Sequence, residues 1–483
     1  MEHFLETYRY RYTPYAHQKA YFSRFWNSKI AAIFADMGTG KSAMLINNAT
    51  MLYDLGKINA LVIVAPKGVY RNWMEVEIPK HLPTHITSRL ALWTPSPRKH
   101  EQEALDHLFE VSEDLKIFVV NVEALSTKRG AEFLRRFLLC HEALFVVDES
   151  TTIKNPSAQR SKNVVRLGRF APYRRIMTGS PITRNPLDLF QQCFFLSPEC
   201  LGFDSFFAFQ NRYAIVVERT LRAHSFRQVT GYRRLDELKT KLDAFSFRVT
   251  KEECLDLPDK VFVRRDIEMS EEQWRVYRQM RDMALAQLAG DVATTANVLT
   301  QLMRLHQIVC GFVRLDNENI KELANNRLSE LMDVIEETSG KIIIWATYKH
   351  NIEVIKLELQ KIYGMNSLGV YTGDTKASER QEIITAFQDP DSPMRFFLGN
   401  PQTGGYGITL TQAKTVIYYS NSYDLEKRLQ SEDRAHRIGQ TNRVTYVDLI
   451  APKTVDEKIV KALRDKINIS TQVLGEESKK WLI

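Results

Sequence analysis

The feature that most constrains this chain is a recurrence of short apolar runs, each followed by a helix-like stretch, in two sets of five. The first set is "KIAAIFA" (29–35), "ALVIVA" (60–65), "KIFVVN" (116–121), "ALFVVD" (143–148) and "RRIMTG" (174–179). The second is "KIIIWAT" (341–347), "LGVYTG" (368–373), "RFFLGN" (395–400), "TVIYYS" (415–420) and "VTYVDLI" (444–450). Runs that are apolar at nearly every residue belong to strands covered on both faces, and the helical stretches between them supply the crossovers a parallel sheet needs. The expected fold is therefore α/β, two parallel-sheet lobes with helical insertions between them. Between the sets, 187–335 reads mostly helical, with "EEQWRVYRQMRDMALAQLAG" its longest stretch, while "ERTLRAHSFRQVTGYRR" (218–234) reads as a basic hairpin or irregular insert. The expected boundaries are a first lobe over 1–245 with a basic insert near 190–240, a hinge and helical region over 246–335, and a second lobe over 336–483.

Length and composition agree with two lobes. A chain of 483 residues exceeds what one core usually serves. Its 44% hydrophobic and 26% charged residues exclude wholesale disorder. The apolar runs are of strand length, far below the roughly 20 residues of a membrane span. The N-terminus "MEHFLETYRYRYTPY" has no apolar signal core. Five scattered cysteines with no CxxC exclude a zinc module, an iron–sulfur cluster and a disulfide framework, so a reducing, intracellular compartment is expected. The net charge of +8 is unevenly spread. Residues 1–240 hold 33 Lys+Arg against 23 Asp+Glu, whereas the remainder hold 33 against 35. Within the first part, residues 151–240 carry 15 against 6, a net +9 that fits a polyanion partner.

The strongest chemical signal is "ADMGTGKS", Ala35 to Ser42, which follows a strand run and opens a helical one. It has the layout of a phosphate-binding loop with Ala35 in place of the first glycine. Gly38, Thr39 and Gly40 let backbone N–H groups close on phosphate oxygens, Lys41 reaches the β/γ-phosphates, and Ser42 is placed to ligate Mg²⁺. In "LFVVDEST" an apolar strand delivers Asp148 and Glu149, 107 residues after Lys41. Hydrolysis of ATP needs one carboxylate for the metal and another for the attacking water, and these two fit those roles. "MTGSPITRN" places Thr178, Gly179 and Ser180 after another strand, where small hydroxyl residues can relay contacts. Gln18 carries an amide that both donates and accepts, as an adenine edge requires. The second set has no such loop. It offers the glycine-rich "NPQTGGYGITLTQA" (400–413) and then "LQSEDRAHRIGQ" (429–440), which reads as a helix with Gln430, Arg434 and Arg437 on one stripe and Gly439 as its stop. Two sheets with one phosphate loop imply ATP bound between them, with the arginines supplying charge from the second lobe.

Taken in order, the phosphate loop, "DEST", "TGSPITRN", "GGYGITL" and "QSEDRAHRIGQ" make the chain resemble the SWI/SNF-like ATPases, the double-stranded-DNA translocases of helicase superfamily two. The resemblance runs from about Tyr12 to Ile459, and "DRAHRIGQ" with "ESTTIKNPSAQRSK" are its most specific parts. It implies two RecA-like lobes, ATP and Mg²⁺ as cofactors, and duplex DNA gripped through its backbone. Carried over motif by motif, Gln18 contacts adenine, Gly407 and Gln430 lie at the nucleotide, and Arg434 and Arg437 are arginine fingers. Lys67 and Arg71 in "APKGVYRNW", Asn121 in "NVEALS", Thr372 and Gly373 in "YTGD", and Thr403 and Gly404 in "NPQTGG" are DNA contacts. The sequence departs from the family at "DEST", where the acidic pair is usually followed by Ala-His, and at Pro401 and Gln402, where many members have Thr and Lys. The short length resembles stand-alone bacterial and viral members, so a bacterial or infected-host cytoplasm and a monomer are expected. Outside the resemblance, Arg219, Arg222, Arg227, Arg233 and Arg234 of the basic insert are read as an extra DNA contact. Two alternatives stand beside the translocase: a strand-separating DNA or RNA helicase, and a non-hydrolysing DNA-binding scaffold.

Overall fold

The computed structural model describes residues 2–221, 224–254, 257–289, 295–314, 319–404, 408–437 and 439–474. The chain divides into two units, the first holding Met1–Asp256 with the segment from Asn468, the second Leu257–Ile467. In the first unit the strands are β1 (Ile30–Ala35), β2 (Ala60–Ala65), β3 (Ser88–Leu92), β4 (Leu115–Asn121), β5 (Ala143–Asp148), β6 (Tyr173–Thr178), β7 (Ala214–Leu221), β8 (His224–Tyr232) and β9 (Ser246–Val249). Seven of them form one sheet in the order β3-β4-β2-β5-β6-β1-β9, with every pairing parallel. Strands β2 and β5 are buried along their whole length, because helices cover both faces. A parallel sheet brings all its strand ends of one sense to one edge, so the segments after β1, β2, β4, β5 and β6 share the carboxyl edge. The hairpin β7–β8 is a separate antiparallel pair, as the basic insert leads one to expect.

The second unit holds β10 (Lys260–Asp266), β11 (Phe312–Arg314), β12 (Ile320–Glu322), β13 (Lys341–Trp345), β14 (Leu368–Tyr371), β15 (Phe396–Gly399), β16 (Ala413–Tyr418) and β17 (Val444–Ile450). Its six-stranded sheet runs β10-β17-β16-β13-β15-β14, again all parallel, and β11–β12 is a small antiparallel pair.

All ten expected runs are strands. Beyond the small β11–β12 pair, three strands of the two parallel sheets were not read from the sequence, and each lies at a sheet edge. Strand β3 carries Arg89, β9 carries Arg248, and β10 carries Arg264 and Arg265. An edge strand has one bonded neighbour and thinner cover, so charged residues interrupt its apolar run. Strands β9 and β10 also change the expected middle region. The stretch 246–335 is not one hinge-and-helix body, because β9 joins the first sheet beside β1 and β10 joins the second beside β17. Among the described residues no helix is long and apolar enough to cross a membrane.

Candidate nucleotide site

The loop after β1 is shaped by its glycines. Gly38 and Gly40 have φ of 83° and 86°, a left-handed conformation that residues with a β-carbon adopt at a cost. A β-carbon on Gly40 would also stand 2.4 Å from Gln18 Nε2. The loop therefore turns tightly into the helix Lys41–Asp54, whose first residues are Lys41 and Ser42. The unbonded N–H groups and positive end of that helix face the loop, which suits an anion. Thr39 is buried, with its hydroxyl donating to Asp36 O at 2.8 Å. Lys41 Nζ donates to Ala35 O at 2.7 Å and to Asp36 O at 3.0 Å, so the ammonium lies inside the loop. Gln18 sits in the helix Ala16–Phe25, where its amide donates to Gly40 O at 3.4 Å and accepts from the Tyr15 N–H at 3.0 Å. Its neighbour His17 donates from Nε2 to Thr39 O at 2.8 Å.

Strand β5 ends in Asp148, 7% exposed. Its Oδ2 accepts from Trp73 Nε1 at 2.8 Å and its Oδ1 from the Glu149 N–H at 3.0 Å. Burial pushes the Asp148 carboxyl above the usual carboxylate range, against the Trp73 hydrogen bond and the Lys41 charge that favour its anion. Glu149 has φ 46° and ψ 62°, left-handed for a residue with a β-carbon, a strain of about 1–2 kcal/mol. Thr178, at the end of β6, donates to Glu149 Oε2 at 3.1 Å and accepts from the Ser180 N–H at 3.2 Å. Gly179 packs against the loop, since a β-carbon there would be 3.4 Å from Met37 N. Lys41, Asp148, Glu149 and Thr178 thus meet along one carboxyl edge, as the motifs require.

Two residues of this site escaped the sequence reading. Trp73 carries no signal of its own within "APKGVYRNW", yet its indole fixes the Asp148 carboxylate. Arg248 on β9 donates to Asp36 Oδ1 at 3.0 Å, Phe34 O at 3.1 Å and Gly179 O at 3.0 Å, tying three pieces of the site together. The donor set fits Mg²⁺: Ser42 and Asp148 offer a hydroxyl and a carboxylate, both hard oxygen ligands, and a carboxylate with two hydrogen bonds keeps lone pairs for a metal.

The other expected residues fall as follows. Lys67 and Arg71 are exposed after β2, and Asn121 ends β4, all at the same edge. In the second unit Thr372 and Gly373 follow β14, their carbonyls accepting from Arg380 Nη2 at 2.9 and 3.2 Å. Thr403 and Gly404 follow β15, and a β-carbon on Gly404 would lie 2.4 Å from the Trp345 ring. Gly407 and Arg222 lie outside the described residues, as does the side chain of Arg219. Arg227 is exposed, lies over the Phe207 ring at 4.9 Å and donates to Asn211 Oδ1 at 3.1 Å. Arg233 donates to Asn211 O at 2.6 Å.

The expected arginine stripe needs correction. The helix spans Leu425–Glu432 and stops there, so Gln430 is helical while Arg434 and Arg437 sit in the turns that follow. Past Glu432 the backbone tightens into i→i+3 turns, Arg434 N–H donating to Ser431 O and Ala435 N–H to Glu432 O, both at 3.3 Å, while the Tyr446 hydroxyl also donates to Glu432 O at 2.8 Å and the Gln440 amide to Ala435 O at 3.1 Å. The two arginines still converge. Arg434 Nη1 and Arg437 Nη1 both donate to Ile408 O, at 3.1 and 3.2 Å, and Arg434 Nε donates to Gln430 O at 2.8 Å.

A loop of left-handed glycines opening a helix, beside two carboxylates on a parallel sheet, makes this a P-loop protein, and a second parallel sheet follows it in the chain. The SNF2-related domain family matches residues 17–312 and the helicase conserved C-terminal domain matches residues 325–439. The chain belongs to the SNF2-related family. It is 26% identical to the TATA-binding protein-associated factor mot1 of Aspergillus fumigatus over 69% of this chain and 20% of that one. It is 26% identical to the probable ATP-dependent DNA helicase CHR12 of Arabidopsis thaliana over 93% of this chain and 40% of that one. The chain thus spans well under half the length of these relatives. A solved structure, the Sulfolobus solfataricus SWI2/SNF2 ATPase core in complex with dsDNA, is 24% identical with a TM-score of 0.43, covering 97% of this chain and 95% of that one.

Proposed function

We propose that this chain hydrolyses ATP with Mg²⁺ and uses the cycle to move along double-stranded DNA without opening long stretches of it. The observation that carries the ATPase reading is the meeting of the glycine loop, Lys41, Asp148 and Glu149 at one sheet edge in a member of the SNF2-related family. An Arabidopsis relative named a probable ATP-dependent DNA helicase supports both the nucleotide and the nucleic acid. The surplus of cations in 151–240 and the loops after β2 and β4 support a sequence-independent grip on phosphates. Ser42 and Asp148 would hold Mg²⁺, which when bound neutralises charge on the β- and γ-phosphates. Glu149 orients and deprotonates the attacking water. Lys41 leaves its carbonyl partners for the phosphates, and Gln18 offers its amide to adenine. Arg434 and Arg437 supply positive charge to the phosphoryl group in flight. The chain acts as a monomer inside the cell.

Steady-state hydrolysis measured with duplex DNA, single-stranded DNA and RNA tests this reading. Duplex DNA should stimulate most, and no response to duplex DNA would sink it. Displacement of a triplex strand without unwinding of a blunt duplex is the expected motor behaviour, and efficient unwinding would replace the translocase by a strand-separating helicase.

A further inference from the structure

The acidic motif reads Asp148-Glu149-Ser150-Thr151, and the two hydroxyl residues stand where a resembling motif carries Ala-His. Ser150 is fully buried, and its Oγ donates to Gln192 Oε1 at 2.7 Å. Gln192 is itself fully buried in the helix Leu189–Leu196, among Leu189, Phe190, Cys193, Phe195 and Leu196. Its Nε2 donates to Pro181 O at 2.9 Å and to Asp188 O at 2.7 Å. The Thr178–Pro181 turn is therefore held at both ends by neighbouring residues of the acidic motif: Glu149 Oε2 takes the Thr178 hydroxyl directly, and Ser150 reaches Pro181 through Gln192.

A buried amide is costly unless its polar atoms are satisfied, and those of Gln192 are. What the amide adds is geometry. Glu149 is held in a left-handed conformation that its own chain does not favour, and Ser150 is the next residue. We propose that Gln192 and Ser150 are positioning residues for Glu149. Together they fix the water-activating carboxylate against the Thr178–Pro181 turn. This rests on the ATPase reading above.

The test compares Gln192→Leu, Ser150→Ala and the double variant Ser150→Ala/Gln192→Leu, in the full chain with duplex DNA, reading kcat, KM for ATP and thermal unfolding. Each single variant strands a buried polar atom and should unfold at a lower temperature. The double variant removes the Ser150 hydroxyl together with its acceptor and should unfold above Gln192→Leu, yet below wild type because the Pro181 and Asp188 carbonyls still lose the Gln192 amide. Its kcat should nevertheless stay about tenfold or more below wild type with KM within about twofold, since a misplaced group loses rate more than binding. A double variant that turns over at the wild-type kcat would reduce the pair to packing and overturn the inference. Wild-type protein that fails to hydrolyse ATP would instead remove the ATPase reading and this one with it, so the two failures are told apart by the wild-type rate.

Discussion

Two aspartates show how differently the two units treat charge. Asp148 in the first unit and Asp456 in the second are almost equally buried, at 7% and 5% exposure. Burial pushes the Asp148 carboxyl up, and its hydrogen-bond donors, the Trp73 indole and the Glu149 N–H, are neutral. Burial acts on Asp456 too, but the Arg327 guanidinium and His306 overcome it and hold that carboxyl well below the usual range. Buried Arg428 is likewise met within its own unit by Glu432 and Asp448. In both cases the second unit meets a buried charge with its opposite and uses the pair to hold its fold. The first keeps an expensive anion at a strand end beside a lysine, an arrangement that makes sense where a phosphate and a divalent cation complete it.

The contrast breaks most readily at the phosphate loop. Lys41→Ala should lower kcat/KM for ATP by on the order of 10³-fold or more, with binding of a fluorescent ATP analogue weakened as well, because the lysine meets ground state and transition state alike. Arg437→Ala should also lower kcat, by roughly 10³-fold, yet leave analogue binding nearly intact, as a group that acts only on the transferring phosphoryl would. Equal loss of binding and turnover would mean that Arg437 matters for its bond to Ile408 O, and the second unit would then lose its chemical role.

Trp73→Phe makes a smaller change to the first unit alone. It keeps the ring and removes the N–H that fixes Asp148 Oδ2, so half-maximal hydrolysis should need about tenfold more Mg²⁺ while saturating rates fall little. An unchanged Mg²⁺ dependence would show that Asp148 needs no such support.

The central strands and the phosphate loop were legible because their causes are local. A strand covered on both faces must be apolar throughout, and a left-handed turn before a helix calls for glycine within a few residues. What stayed hidden depends on partners far apart in the chain: Trp73 with Asp148, Arg248 with Asp36, and Ser150 with Gln192 across 42 residues. No periodicity encodes such pairs. The helix through "LQSEDRAHRIGQ" was misjudged for a related reason. Its polar spacing continues past Glu432, but the backbone there tightens into turns against which Tyr446 and Gln440, brought in by later chain, place their side chains.

The smallest effect sharpens the contrast from the second unit's side. His306 is fully buried, with Nδ1 2.9 Å from the Tyr348 hydroxyl and Nε2 3.3 Å from Asp456 Oδ1. Burial alone would discharge the imidazole. Cys310 and Asp456 outweigh it and hold its pKa at about 10, above the ordinary 6.5. A folded-state pKa raised above the unfolded one stabilises fully below pH 6.5, and that contribution is lost as pH climbs from there towards 10. Asp456, depressed, works in the opposite window and loses its contribution only in strong acid. Between pH 7 and 10 the wild-type protein should therefore lose more thermal stability than His306→Gln, by several degrees in unfolding temperature. Glutamine does not ionise, so parallel curves for the two proteins would mean that His306 is neutral in the fold. The Asp456 charge would then be met by Arg327 alone.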